Sequence, residues 1–188
     1  MFRAFVWGLL LVSMSIHAEQ KIPLFNGISI TGWTPSGDIE WQVEQGAIVA
    51  TGKGEGFLST LNSYGDFHLK VEFWVDATTN SGIFIRCHDR DRIHPDTCYE
   101  LNIWDHHPNQ EARTGAIVFK AMPPLAQVET VDRWNTYEVL ARGPHLEVRV
   151  NGEVTAQLHN ADATAGFIAL QHWEEGTVKF RSIEVTPY

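Results

Sequence analysis

The chain has 188 residues, of which 44% are hydrophobic and 20% are charged, a composition typical of one globular domain and not of a disordered protein. Its formal net charge is −9, and no cluster of Lys and Arg stands out. Because phosphate contacts need clustered cations, this balance argues against nucleic acid or an anionic membrane surface as a partner.

The N-terminal residues 1–18 are typical of a secretory signal peptide. Arg3 precedes an apolar run from Ala4 to Val12, and small residues close the segment at Ala18. The run is too short for a permanent membrane anchor, and no Cys follows it for lipid attachment. We therefore expect cleavage near Ala18, one domain over residues 19–188, and a periplasmic or secreted protein without a membrane anchor.

Short segments in which apolar and polar residues alternate are separated by Gly, Asn, Asp and Pro. This pattern predicts an all-β fold, a two-sheet antiparallel β-sandwich. The dipeptide Asn151-Gly152 predicts a type I′ hairpin turn, because both central residues of that turn need positive φ. In chain order, the predicted strands are 41–50, 67–75, 80–86, 99–105, 137–141, 146–150, 154–158, 166–173 and 178–185.

The strands 80–86 and 99–105 contain the most informative pattern, since both alternate with a period of two. One face is aliphatic and suits a core, with Ile83, Ile85, Leu101 and Ile103. The opposite face combines aromatic rings with a guanidinium, a carboxylate and an amide, groups that bind sugars by stacking and by hydrogen bonds. We predict that this second face lines a ligand cleft; its members are Phe84, Arg86, Glu100, Asn102 and Trp104. Alternatively, Arg86 and Glu100 form an exposed cross-strand ion pair contributing roughly 0.2–1 kcal/mol.

Cys87 and Cys98 flank the polar connection between these two strands. In an exported protein, two cysteines are expected to form a disulfide. The alternation of side chains along a strand argues partly against this disulfide. If Arg86 faces Glu100, the two cysteines point to opposite sides of the sheet. A disulfide would then require a bulge or irregular backbone at the loop ends.

Several motifs in fixed order resemble the 3-keto-disaccharide hydrolase family, formerly a domain of unknown function. They are NSGIFIR at 80–86, YELNIWD at 99–105, TGAI at 114–117, WN at 134–135, VNG at 150–152, and GFIALQ and VKFRSIEV near the end. The likeness covers residues 25–187. The resemblance implies a concanavalin A-like jelly roll, as in lectins and glucanases, with the site on its concave sheet. It also implies an enzyme that cleaves 3-keto-glycosides.

The chain departs from the family pattern at three places. The family usually has Gln where this chain has Asn102 and commonly Asn where it has His106, and the segment after Gln171 reads His-Trp-Glu in place of Asp-His-Gly. We expect these changes to affect the substrate range more than the fold.

A conventional glycosidase needs two carboxylates about 5 to 9.5 Å apart. Glu100 and Asp105 are separated by an odd number of residues and fall on opposite faces of a continuous strand, unless the strand breaks near Trp104. A 3-keto sugar needs only one base, because the ketone acidifies the C2 hydrogen and the aglycone leaves by elimination before water adds back.

The resemblance and the pattern together assign roles. Glu100 is the first choice of base, with His106 or His172 as alternatives, and Arg86 would stabilise the enolate oxygen. The predicted substrate-binding residues are Phe84, Asn102, Trp104, Asp105 and Gln171, with amides on hydroxyl groups and Trp104 stacked on a ring. Trp33, Trp41 and Trp134 are expected in the core.

No cofactor is predicted, although Asp105, His106 and His107, with His88 and His94 nearby in sequence, leave a divalent cation possible. The expected partner is an oligosaccharide or glycoside substrate. Two other classes stay open: a carbohydrate-binding module without catalysis, and a periplasmic β-sandwich that binds a protein through its edges.

Overall fold

The computed structural model describes residues 20–121 and 128–188. The expected signal peptide, residues 1–18, lies outside them. Over these ranges the chain forms antiparallel strands and one short 3₁₀ turn at Gln110–Ala112, and no helix in them is long and apolar enough to cross a bilayer. The strands are β1 (Ile22–Pro23), β2 (Trp33–Gly37), β3 (Gln42–Glu44), β4 (Ala47–Thr51), β5 (Gly56–Tyr64), β6 (Phe67–Val75), β7 (Asn80–Cys87), β8 (Tyr99–Ile103), β9 (Asn135–Arg142), β10 (His145–Val150), β11 (Glu153–Leu158), β12 (Gly166–Trp173) and β13 (Thr177–Pro187).

Two antiparallel sheets form the predicted β-sandwich. The larger sheet has the order β11-β10-β9-β6-β13-β4-β3, with β1 paired to β13. The smaller sheet has the order β2-β5-β12-β7-β8, so β8 is an edge strand. Strands distant in sequence are therefore neighbours in both sheets.

The core lies between the sheets and follows the period of two. In β6, alternate residues from Phe67 to Val75 are buried, while the residues between them are partly or fully exposed. In the smaller sheet, four aliphatic side chains pair in one continuous row across four strands: Leu58, Leu170, Ile83 and Leu101. Burial of each such side chain contributes about 1.5–3 kcal/mol. The predicted aliphatic face of β7 and β8 is thus confirmed.

The predicted strand 41–50 is wrong in one respect, since it is a hairpin of β3 and β4. Gln45 and Gly46 join the two strands with φ values of 50° and 78°. Two consecutive positive φ values reverse the chain in a tight turn, which the alternating pattern alone did not reveal. The predicted turn at Asn151-Gly152 is confirmed, with φ values of 52° and 86°.

The tryptophans divide between core and surface. Trp33 and Trp41 are buried in the core, as expected. The expectation for Trp134 is wrong: it is 37% exposed, and the Arg181 guanidinium lies 3.8 Å from its ring centroid. A cation over the ring face stabilises an aromatic side chain that remains in contact with water.

A β-bulge ends β7 and decides the direction of its last residues. Phe84 pairs with Ala169 and Cys87 pairs with Phe167, so two residues of β7 lie opposite one residue of β12. Arg86 is in the bulge, with φ of 55°. The extra residue brings Cys87 onto the same face as Phe84, where it forms the Cys87–Cys98 disulfide. The expected disulfide and the bulge that it required are both confirmed.

Candidate functional site

The candidate site is a cleft on the outer face of the smaller sheet. Strand register places two rows of outward-facing side chains beside each other. Residues Asn102, Gly82, Gln171 and Phe57 form one row across β8, β7, β12 and β5, and residues Glu100, Phe84, Ala169 and Ser59 form the next. Five of the predicted site residues meet here, and they line one cavity of about 280 Å³: Phe84, Glu100, Asn102, Trp104 and Gln171.

Two connections build the walls of this cavity. The loop between the cysteines contributes Ile93, His94 and Pro95, and the segment after β8 contributes His107, Asn109, Ala112, Val118 and Phe119. Phe57, Asn80 and Trp173 complete the lining. Aromatic and aliphatic residues make up more than half of the lining and polar residues the rest, a composition that suits a small-molecule site.

The segment 115–118, which includes most of the TGAI motif, covers the free edge of β8. The Val118 N–H donates to the Glu100 carbonyl at 3.0 Å, and the Asn102 N–H donates to the Ala116 carbonyl at 3.1 Å. The Gly115 N–H donates to the Asn102 carbonyl at 3.1 Å. Because β8 is paired with β7 on one side and hydrogen-bonded to this segment on the other, the side chains of Glu100 and Asn102 project from a fixed strand.

Glu100 is the chemically distinctive residue of the cleft. It is 8% exposed, and burial raises the pKa of its carboxyl group from 4.5 to about 7. At neutral pH the group therefore exists in comparable amounts as acid and carboxylate, a state suited to accepting a proton from a ligand. Among the described residues, it is the only carboxylate that lines the cavity.

Gly82 forms the floor between Glu100 and Gln171. A Cβ atom built at this glycine would lie 3.2 Å from Gln171 Oε1 and 3.4 Å from Glu100 Oε1. The missing side chain thus leaves open space beside both oxygen atoms. Gly82 was not predicted as a site residue, although it lies two residues before Phe84 and therefore on the same face of β7.

Two buried acceptors in the cleft have no hydrogen-bond partner in the described parts of the chain. They are Gln171 Oε1 and Asn102 Oδ1, on side chains that are 6% and 3% exposed. The Asn102 amide nitrogen donates to the Ala112 carbonyl, which orients its oxygen. A buried acceptor without a partner costs about 1–3 kcal/mol, so a ligand hydroxyl that donates to it is favoured.

The structure does not place Arg86 beside Glu100, so that prediction is wrong. Arg86 is fully buried, and its Nη1 donates to the carbonyls of Gly143 and Ala163 at 2.7 and 2.9 Å. Its Nη2 lies 3.4 Å from Asp66 Oδ1, which also accepts the Gly143 N–H. The bulge directs Arg86 away from the cleft. Its guanidinium instead contacts three segments that connect strands, at Asp66, Gly143 and Ala163.

The prediction that His172 lines the cleft is also wrong. In β12, Gln171 and Trp173 face the cleft, so His172 faces the interior and is fully buried. Its Nδ1 lies 2.9 Å from the Gly54 carbonyl and its Nε2 lies 3.2 Å from the Gly176 carbonyl. Backbone partners on both ring nitrogens give His172 a structural position.

Asp105 and His106 are likewise outside the cavity, contrary to prediction. The strand does end before Trp104, but the Asp105 carboxylate turns to Thr114 and Thr130, whose hydroxyls donate to it at 2.5 and 2.8 Å. His106 is exposed. Its neighbour His107 is the histidine that lines the cavity, with its ring 4.4 Å from that of Trp104. In residues 20–121 and 128–188, no three His, Cys, Asp or Glu side chains form a cluster that could hold a metal ion.

A second, wider cavity of about 850 Å³ adjoins the first on the same face. Its lining is more polar and includes Ser36, Asp38, Glu55, Arg90, Asp91, Arg92 and Asp96. The two cavities share Phe57, Ile93, His94 and Trp173. They form adjacent compartments with these four residues at the boundary.

Comparison with known proteins agrees with this geometry. Residues 20–186 match the model of a family described as the 3-keto-alpha-glucoside-1,2-lyase-like domain. No curated protein matches the chain. A protein of Parabacteroides distasonis, provisionally assigned as a glycosyl hydrolase, superposes with a TM-score of 0.79 at 22% identity, over 89% of this chain and 94% of that one.

Two further structures share the fold at lower identity. The carbohydrate-binding module CBM66 of Bacillus subtilis has a TM-score of 0.61 at 15% identity, over 83% of this chain and 96% of that one. The exoplasmic/lumenal domain of VIP36, solved with Ca²⁺ and Man3GlcNAc, has a TM-score of 0.64 at 12% identity, over 90% and 89%. These likenesses confirm the lectin-like β-sandwich. Because the family match spans residues 20–186, the chain belongs to the 3-keto-alpha-glucoside-1,2-lyase-like domain family.

Proposed function

We propose that the protein cleaves 3-keto-glycosides by removing the C2 proton, eliminating the aglycone and adding water back to the product. The observation that supports this most is the single buried carboxylate, Glu100, whose pKa is raised to about 7 in a cleft with no other carboxylate among the described lining residues. A hydrolysis that needs one base fits such a site.

The chemistry explains why one carboxylate is sufficient. Cleavage of an ordinary glycoside needs an acid and a second carboxylate on opposite sides of the bond. In a 3-keto sugar, the C2–H electrons pass into the adjacent carbonyl and form an enolate once a base takes the proton. When the enolate reforms the ketone, C1=C2 forms and the bond from C1 to the aglycone oxygen breaks.

The residues of the cleft supply the remaining interactions. With Arg86 held elsewhere, we assign Gln171 to the sugar hydroxyls, since its Oε1 has no hydrogen-bond partner among the described residues. Asn102 Oδ1 accepts from a hydroxyl, and Trp104 provides a flat apolar surface for a ring face. These contacts hold C2 beside Glu100.

We also propose that the protein acts outside the cytoplasm. The signal-like residues 1–18 motivate this proposal. The Cys87–Cys98 disulfide supports it, because structural disulfides persist in oxidising compartments.

A carbohydrate-binding module is the second candidate function. The unpartnered acceptors Gln171 Oε1 and Asn102 Oδ1, with aromatic walls around them, could bind a sugar without any base. The two functions differ in the role of Glu100, which is required for turnover in one and is dispensable for binding in the other.

The test compares methyl 3-keto-glucoside with methyl glucoside as substrates for the wild type, Glu100→Gln and a control, Glu147→Gln. Glu147 is on β10 in the other sheet. We expect turnover of the keto sugar only, and a loss of roughly 10²–10⁴-fold in Glu100→Gln with binding retained. Comparable cleavage of the unoxidised glucoside would contradict the mechanism. Binding without turnover in the wild type would favour the module.

A further inference from the structure

His94 is at the boundary between the two cavities. It lines both the 280 Å³ cavity that contains Glu100 and the 850 Å³ cavity beside it. Of the four residues shared by the cavities, it alone can exchange a proton, since the others are Phe57, Ile93 and Trp173. The glycosidic bond of a ligand that occupied both cavities would lie next to this imidazole.

The Asp96 residue offers His94 a partner in each protonation state. The Asp96 backbone N–H lies 3.2 Å from His94 Nδ1, and the Asp96 carboxylate Oδ2 lies 3.3 Å from the same atom. In the imidazolium, Nδ1–H donates to the carboxylate, and Nε2–H is the proton available to a ligand. When Nε2 releases that proton, the neutral ring keeps Nδ1–H and its hydrogen bond to the Asp96 carboxylate.

The loop that contains His94 is fixed on the sheet. The His94 carbonyl accepts the N–H groups of Thr97 and Cys98, both at 2.9 Å, and the Thr97 hydroxyl donates to the Arg92 carbonyl at 2.7 Å. Cys98 is bonded to Cys87 on the sheet. The backbone of His94 is therefore held in place, while its side chain is about half exposed.

We propose that His94 is the general acid that protonates the leaving oxygen. This inference rests on the proposed function. It places the 3-keto ring in the smaller cavity and the aglycone in the wider one. As the enolate collapses, the C1–O bond breaks, its electron pair stays on the aglycone oxygen, and that oxygen takes the proton from His94. The imidazole is left neutral, and the aglycone leaves as an alcohol.

The other basic groups near the boundary are less suitable. Arg90 donates to Ser59 Oγ and the Thr60 carbonyl, both at 2.8 Å, and its guanidinium does not release a proton at neutral pH. His107 lines the smaller cavity alone. His88 lies in the same loop as His94 but lines neither cavity, which makes it a matched control.

The experiment varies the basicity of the leaving group. Nitrophenolate leaves without a proton, whereas methoxide needs one, so loss of a general acid slows only the second. We expect His94→Gln to lower kcat for methyl 3-keto-glucoside by roughly 10²-fold or more and kcat for 4-nitrophenyl 3-keto-glucoside by less than about fivefold. His88→Gln should change neither, and Asp96→Asn, at a positioning residue, should show a weaker form of the same selectivity.

Equal losses on both substrates, or no loss on either, would overturn the role of His94. Melting temperature reports whether the variant is folded, and His107→Gln, which we expect to affect both substrates alike, shows that the selectivity is specific. Failure of the proposed function looks different, because the wild type would then release neither methanol nor nitrophenol from the keto sugars.

Discussion

Replacement of Glu100 by Gln should stabilise the protein at neutral and alkaline pH while greatly lowering turnover. The Glu100 carboxyl is buried in the cleft, and its pKa is raised from 4.5 to about 7. Ionising this group is therefore harder in the folded state than in the unfolded chain. Glutamine has the same shape and no charge, so it removes this cost.

The sign and size of the effect follow from the two pKa values. Below pH 4.5 the carboxyl is protonated in both states and no cost arises. Between pH 4.5 and 7 the unfolded chain releases its proton while the folded protein retains it, so the free energy of unfolding falls as pH rises. Above pH 7 the full difference applies, about 3 kcal/mol at about 1.4 kcal/mol for each pH unit.

Thermal and urea denaturation of the wild type and Glu100→Gln at pH 4 and pH 8 measure this difference. For a domain of this size, about 3 kcal/mol corresponds to a change in melting temperature of roughly 6–12 °C. We expect the advantage of Glu100→Gln over the wild type to grow by that amount between the two pH values.

Parallel stability curves for the two proteins would refute the reasoning, because they would show that Glu100 ionises as easily in the cleft as in the unfolded chain. Glu147→Gln is the control. Hydrogen bonds from Gln157 and Arg149 lower the pKa of Glu147, so its replacement should cost stability at pH 8 and less at low pH.

Three further substitutions test other parts of the structure. Gly82→Ala should lower kcat/KM roughly 10²-fold, with a melting temperature near that of the wild type, since the added methyl group meets Gln171 Oε1 and Glu100 Oε1 at 3.2 and 3.4 Å; an unchanged kcat/KM would exclude Gly82 from the floor. Phe119→Gly should raise KM, because Phe119 lines the cleft, and should not lower stability, because Phe119 is 76% exposed and has φ of 60°. The control Gln45→Gly, at a turn with φ of 50°, should leave KM unchanged. Arg86→Lys should lower the free energy of unfolding by about 3 kcal/mol in urea denaturation and leave ligand affinity intact, since Arg86 binds carbonyls far from the ligand; a selective loss of affinity would return it to the site.

The sequence was sufficient to predict the sandwich and the cleft face because side chains alternate along any regular strand. Phe84, Glu100 and Asn102 face the cleft for that reason alone, and Gln171 follows from the same period in β12. This alternation no longer predicts the face of a side chain where the strand is irregular. One extra residue in the β7 bulge moved Arg86 to the other side, and the two cysteines were the sequence evidence for that bulge.

For other parts of the site, the alternation of side chains along a strand is not sufficient. Gly82 matters through the side chain that it lacks, and only strand register places it between Glu100 and Gln171. The positions of His94, His106 and His107 depend on loop conformation, which is set by individual hydrogen bonds such as those of the His94 carbonyl. The sequence identified a histidine-rich region but not which ring reaches the cavity.

Deuterium incorporation tests the central claim most directly. Methyl 3-keto-glucoside is cleaved by the wild type in heavy water, the reaction is stopped early, and C2 of the released keto sugar is analysed by NMR. If Glu100 removes the C2 proton and water later adds across C1=C2, the product contains deuterium at C2, well above the level in product incubated with Glu100→Gln. Release of a keto sugar that retains its original hydrogen at C2 would contradict the elimination mechanism.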